Sequence, residues 1–227
     1  MAGRHTRTAE ISVAHLQFYL QDIYELQVAH NVGDFLITCP QQASDLDGSF
    51  AATEVKEKLL VRQQANNLDL SLFLHDEVVR NIQENKPVQD IHEDNLEDFC
   101  LALEGVSHFL YLLWNASHER SVTMLEMELQ ADIDKFVTLI FCLEQQNKQV
   151  KPGHLRRLLF ETTRYHQQLD THERQRYKDA NDFAEKYCWK LESDYLSNRS
   201  RQQVLSELRQ FYRLTQAEKI RRIQGFS

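Results

Sequence analysis

The chain has 227 residues, a net charge of −8 and an apolar fraction of 42%, enough apolar material for the core of one large domain or two small ones. Only six Gly and three Pro argue for long helices with short connections and against an all-β sandwich. An acidic balance is opposite to the usual footprint of a nucleic-acid binder, and the longest strongly apolar run, Phe109 to Trp114, falls far short of a membrane span.

No apolar stretch follows the basic residues of the first ten positions, so a secretory leader is not expected. Cys39, Cys100, Cys142 and Cys188 are widely spaced and include no CxxC pair; they read as reduced thiols of a soluble, cytoplasmic protein. From Ile11 to about His30, apolar residues at three- and four-residue spacing predict a helix that Asn31 and Gly33 end. Asp34 to Thr38 reads as a short strand and Gln41 to Ser49 as a polar loop. Glu57 to Gln63 and Leu68 to Leu74 flank Ala65, Asn66 and Asn67 and predict a β-hairpin. The second run alternates, with Leu68, Leu70, Leu72 and Leu74 on a buried face and Asp69, Ser71, Phe73 and His75 on the other. Two strands alone are marginal in water, so the 34–38 segment is expected to join them beneath a covering helix.

A helix opens at His75 and runs to about Asn85, and Pro87 begins a polar link. Asn95 to Gln146 then supplies the main core as two long helices expected to fold back on each other, the first carrying Leu96, Phe99, Leu103, Val106, Leu110 and Leu113 at helical spacing. Pro152 suits the first turn of a helix over Leu155 to Leu169, and Asp170 or Thr171 caps another to about Leu196. Ser200 to Gln203 and Thr215 to Glu218 each fit a capping box, which makes the tail two short helices. The expected fold is mostly α (α+β), a bundle-like helical core with a small antiparallel β-sheet in the N-terminal third. Residues 1–90 would form a small α+β subdomain and residues 91–227 a helical one, the two folding as one cooperative unit.

Chemistry concentrates in the central helices. Glu104 and His108 stand four apart on one face of an apolar helix, and a turn near Glu119 and Arg120 would set them level with Glu128, Asp132 and Lys135. One reading is a carboxylate and imidazole cluster of Glu104, His108, Glu128 and Asp132 that holds a divalent metal or does acid/base work. The simpler reading pairs Glu104 with Lys135 and His108 with Asp132, because buried polar groups are normally hydrogen-bonded. The row Glu126, Gln130 and Asp134 reads as a solvated or subunit-facing stripe. Tyr165, His166, Asp170, His172 and Glu173 cluster across a helix boundary without zinc-ligand spacing. No G-x-S-x-G elbow and no glycine-rich phosphate loop occurs.

Residues 199–227 carry seven basic and two acidic side chains, leaving 19 basic against 32 acidic residues in the rest. Arg209, Tyr212, Arg213, Lys219, Arg221 and Arg222 are the candidate partner-binding residues of this tail. Docking on the acidic body, in cis or from a second subunit, accounts for both halves of the pattern; nucleic acid is the weaker reading. Taken together, the sequence points to a protein that acts through contacts with itself or another protein. It needs no cofactor, no membrane and no catalysis; a metal-dependent or acid/base enzyme is the alternative.

Overall fold

The computed structural model describes residues 2–48, 55–64, 67–148, 151, 153–161, 171–196 and 200–226. It is mostly helical with a small mixed sheet. The elements in order are α1 (Ala2–Tyr24), β1 (Leu36–Ile37), α2 (Pro40–Asp47), β2 (Glu57–Gln64), β3 (Asn67–Leu74), α3 (Asp76–Asn85), α4 (Glu93–Ser117), α5 (Met124–Gln145), the single turn α6 (His154–Arg156), α7 (Thr171–Leu196), α8 (Arg201–Tyr212) and α9 (Gln216–Gln224). Residues 65 and 66 of the expected hairpin turn, Pro152, and positions 165, 166 and 170 lie outside the described residues. No described helix is long and apolar enough to cross a membrane.

The chain divides into two compact units, Met1–Tyr19 with Gln27–Trp114, and Leu20–Leu26 with Asn115–Ser227. In the first, β3 is the central strand, antiparallel to β2 and parallel to β1. The 34–38 segment thus joins the sheet as expected, but only Leu36 and Ile37 pair, and in the parallel sense, because the chain crosses over through α2 and β2 before reaching β3.

The loop expected at 41–49 is instead helix α2. Pro40 stands in its first turn, where a missing N–H costs nothing, and Gly48 closes it with φ 68°. This helix changes the strand arithmetic. Ala43 of α2 packs with Ile37, Leu60 and Phe73, so the sheet face expected to be open is covered around Phe73, which is fully buried. The opposite face, bearing Leu36, Leu59, Leu72 and Leu74, turns toward α4. Contact with α4 is close at Gly105: a Cβ there would stand 2.7 Å from Leu72 Cδ1 and 3.0 Å from Glu57 Oε1.

α1 ends at Tyr24, six residues before the expected stop, with Glu25 left-handed at φ 51°. Asn31 caps a 3-10 turn at Val32–Phe35 rather than ending α1. Buried Gln17 holds the intervening loop, donating to His30 O and accepting from Val32 N. Both capping boxes form: Ser200 Oγ accepts from Gln203 N while Gln203 Oε1 accepts from Ser200 N, and Glu218 Oε2 accepts from Thr215 N. That bond holds the Glu218 carboxyl below its ordinary range.

In the second unit the principal helix contact is α5 against α7. Phe136, Val137, Ile140 and Phe141 of α5 meet Leu191 of α7 and Val204 of α8. On α7, Ala180, Ala184 and Cys188 repeat every four residues and are fully buried, a narrow stripe that lets a neighbouring helix approach.

Gly105→Ala sets two effects against each other. Alanine favours the helix by about 1 kcal/mol, but its methyl overpacks a site whose nearest atom belongs to fully buried Leu72, at a typical cost of about 1–3 kcal/mol. The expected result is a net loss of about 1 kcal/mol or more, read as a lower midpoint in chemical denaturation.

Candidate functional site

The residues singled out in the central helices divide between the two units: Glu104 and His108 lie on α4 in the first, Glu128 and Asp132 on α5 in the second. On α4, Glu104 and His108 stand one turn apart, with a Glu104 carboxylate oxygen within 4.8 Å of a His108 ring nitrogen. The structure adds Glu57, the first residue of β2. Its Oε1 is 3.7 Å from His108 Nδ1, and the two side chains are only 9% and 8% exposed. Sequence reasoning passed over Glu57 as a strand residue. The signal was available, since Glu57 shares the parity of Leu59 and so belongs to the inward face.

On α5, Glu128 is buried, and Asp132 Oδ1 pairs with Lys135 Nζ at 2.8 Å on its own helix. The row Glu126, Gln130 and Asp134, expected as a solvated or subunit-facing stripe, is buried within the chain. α9 and the end of α1 cover this face. Lys219 Nζ donates to Gln130 Oε1 at 2.7 Å, Gln130 Nε2 donates to Asp134 Oδ1 at 2.8 Å, and Tyr24 Oη donates to the same carboxylate oxygen. Burial, together with Asp134, raises the Tyr24 phenol well above its ordinary value. Lys219 is itself fully buried, its ammonium lying 5.2 Å from the Phe211 ring centroid and 5.8 Å from that of Tyr212. Burial lowers its pKa to about 7 against the opposing pull of Glu126 and Asp134.

Cations of the basic tail make contacts within the second unit. Arg209 Nε donates to Ile23 O at 2.9 Å and its Nη1 pairs with Glu25 at 2.7 Å. Arg213 Nη2 donates to Tyr24 O and Glu25 O. These are the orphan carbonyls of the α1 terminus, where cations are favoured by the helix dipole. Tyr212 packs against Tyr24 in a tilted pair with ring centroids 4.4 Å apart, Arg222 pairs with Glu207, and Arg221 Nε donates back to Ala217 O on its own helix. Glu25, Gln202, Ser206, Arg209, Gln210 and Arg213 border an open concavity, but the two guanidiniums on its rim already serve the α1 carbonyls.

No family model matches the chain, and neither a curated protein nor a solved structure matches it.

Two outcomes follow from the second unit. With the folded Lys219 pKa near 7 and the unfolded value near 10.5, the unfolded chain binds more protons between those values. Stability therefore rises with pH across that window, by on the order of 1 kcal/mol per unit where the difference is a full proton. Lys219→Met should flatten that rise, which denaturation curves at several pH values measure. Arg213→Ala strands carbonyls at the α1 terminus and should lower stability by about 1–2 kcal/mol, read by the same curves at pH 7.

Proposed function

We propose that the protein is a non-enzymatic, cytoplasmic interaction protein that pairs with a second copy of itself through the outer edge of β2. The observation that carries this reading is an eight-residue edge strand whose guarding charges are withdrawn. Among the described residues β2 is the terminal strand of the sheet, hydrogen-bonded to β3 on one side. An edge of this length presents a row of backbone donors and acceptors, and proteins usually protect such edges with projecting Lys or Arg side chains. Here both cations of the strand fold down onto α2: Lys58 Nζ pairs with Asp47 Oδ2 at 2.8 Å, and Arg62 Nη2 donates to Leu46 O at 3.2 Å. Val61 between them is 49% exposed.

A second copy is the partner that fits. Antiparallel pairing of one strand with itself is isologous, so it satisfies both edges and closes at two chains, where a different partner would have to bring an edge of its own. Nucleic acid is a poorer fit, because the tail cations that would meet phosphates serve helix carbonyls and carboxylates instead.

Sedimentation velocity on the full chain, from low to high micromolar concentration, tests the reading. The parent should dimerise. Val61→Lys should be monomeric over the same range while keeping its circular dichroism and thermal midpoint, since the side chain is half exposed. A parent that stays monomeric, or a Val61→Lys dimer as tight as the parent's, would overturn it.

A further inference from the structure

We propose that α9 is a pH-responsive latch, a terminal helix that holds to the second unit while Lys219 is neutral and is released more readily as Lys219 takes up a proton. Its attachment is slight. Of its nine residues only Lys219 and Ile223 are buried, so one of the two side chains it sets into the interior is titratable. Beyond them, Arg222 Nη2 pairs with Glu207 on α8 at a part-exposed site, where an ion pair contributes little. Phe226, past the end of the helix, stacks on Tyr187 of α7 with ring centroids 6.1 Å apart. A helix of nine residues is marginal in water by itself, so undocking α9 also unwinds it.

The surroundings of Lys219 decide which way the latch responds. α5 presents Gln130, whose Oε1 accepts from Lys219 Nζ at 2.7 Å, together with the carboxyl groups of Glu126 and Asp134. The end of α1 contributes Tyr24, hydrogen-bonded to Asp134 and Gln130. The link before α5 contributes Arg120, and α8 the rings of Phe211 and Tyr212. The two carboxyl groups and the rings favour an ammonium there, while burial and Arg120 oppose it. Burial is the largest effect: the docked side chain titrates near pH 7, against 10.5 when exposed.

The direction follows from proton counting. Between those two values the released helix binds a proton that the docked one lacks, so release is favoured as pH falls and levels off below 7. Between pH 9 and pH 7 the docking equilibrium weakens by about 50-fold. Release uncovers Glu126, Gln130 and Asp134, a polar row that docked α9 keeps in the interior.

Hydrogen exchange of the full chain, followed by mass spectrometry at about pH 7 and pH 9 with the intrinsic pH dependence of exchange divided out, tests the latch. In the parent, α9 amides should be less protected than those of α5 and α7 at pH 7, and their protection should rise about 50-fold by pH 9. Lys219→Met should leave α9 equally protected at both pH values. Ile223→Val keeps the lysine and should lower α9 protection by one common factor at both, which decides the matter if Lys219→Met does not fold. α9 amides as protected as those of α5 at both pH values would overturn the proposal, because the helix would then open only with the whole unit. So would parent protection that does not change with pH, an Ile223→Val variant without the parent's pH dependence, or a Lys219→Met variant that retains it.

Discussion

The close passage of the α4 backbone beneath the sheet at Gly105 governs the first unit. Leu72 of β3 pairs across to Leu59 on one side and Leu36 on the other, and its side chain lies where any larger residue at 105 would sit. A helix held this near a sheet buries both surfaces at native density, and a methyl group is enough to disturb it. The same closeness delivers Glu57 to the side of His108. Packing and the approach of Glu57 to His108 are therefore one constraint: whatever moves the helix away from the sheet also separates these two side chains.

The second unit rests on a different device. α1 stops at a left-handed glutamate rather than a glycine, a conformation that costs a non-glycine residue on the order of 1 kcal/mol. The offset comes from Arg209 and Arg213, which reach the carbonyls of residues 22 to 25 from a helix far along the chain. Below them Lys219, Gln130, Asp134 and Tyr24 form a hydrogen-bonded series in which each buried polar group has a partner. The basic tail and the acidic row on α5 are thus two halves of one interior, and their opposite charges do not advertise two surfaces.

The long helices, the hairpin and both capping boxes were legible because periodicity and capping are local properties of the chain. α2 was not: only Ala43 of its eight residues is buried, so it lacks the apolar stripe on which a helix is recognised. Glu126, Gln130 and Asp134 looked solvated because four-residue spacing of polar groups says that they share a face, not what covers it. What covers them is Lys219 and Tyr24, from the two ends of the chain. The end of α1 was missed for the same reason, since its termination depends on Arg209 and Arg213 rather than on a local stop signal. Glu104 and His108 are legible as a helical pair; Glu57 comes beside His108 through tertiary approach alone.

β2 carries two demands that its alternation separates. Glu57 and Leu59 face α4, while Lys58, Leu60 and Arg62 face α2, where an ion pair, an apolar contact and a backbone hydrogen bond hold them. Up to Leu60 the side chains of the strand are committed to the packing of the unit, while Val61 is half exposed. The backbone edge of the strand is different, because the hydrogen-bonding capacity there is set by the peptide groups and not by the sequence. Self-association as proposed would therefore be of the main-chain kind, with specificity coming from which strand can lie alongside. Glu57 sets the start of β2 beside α4, and Val61 further along is half exposed, so the strand is held at its start and opens to solvent beyond Leu60.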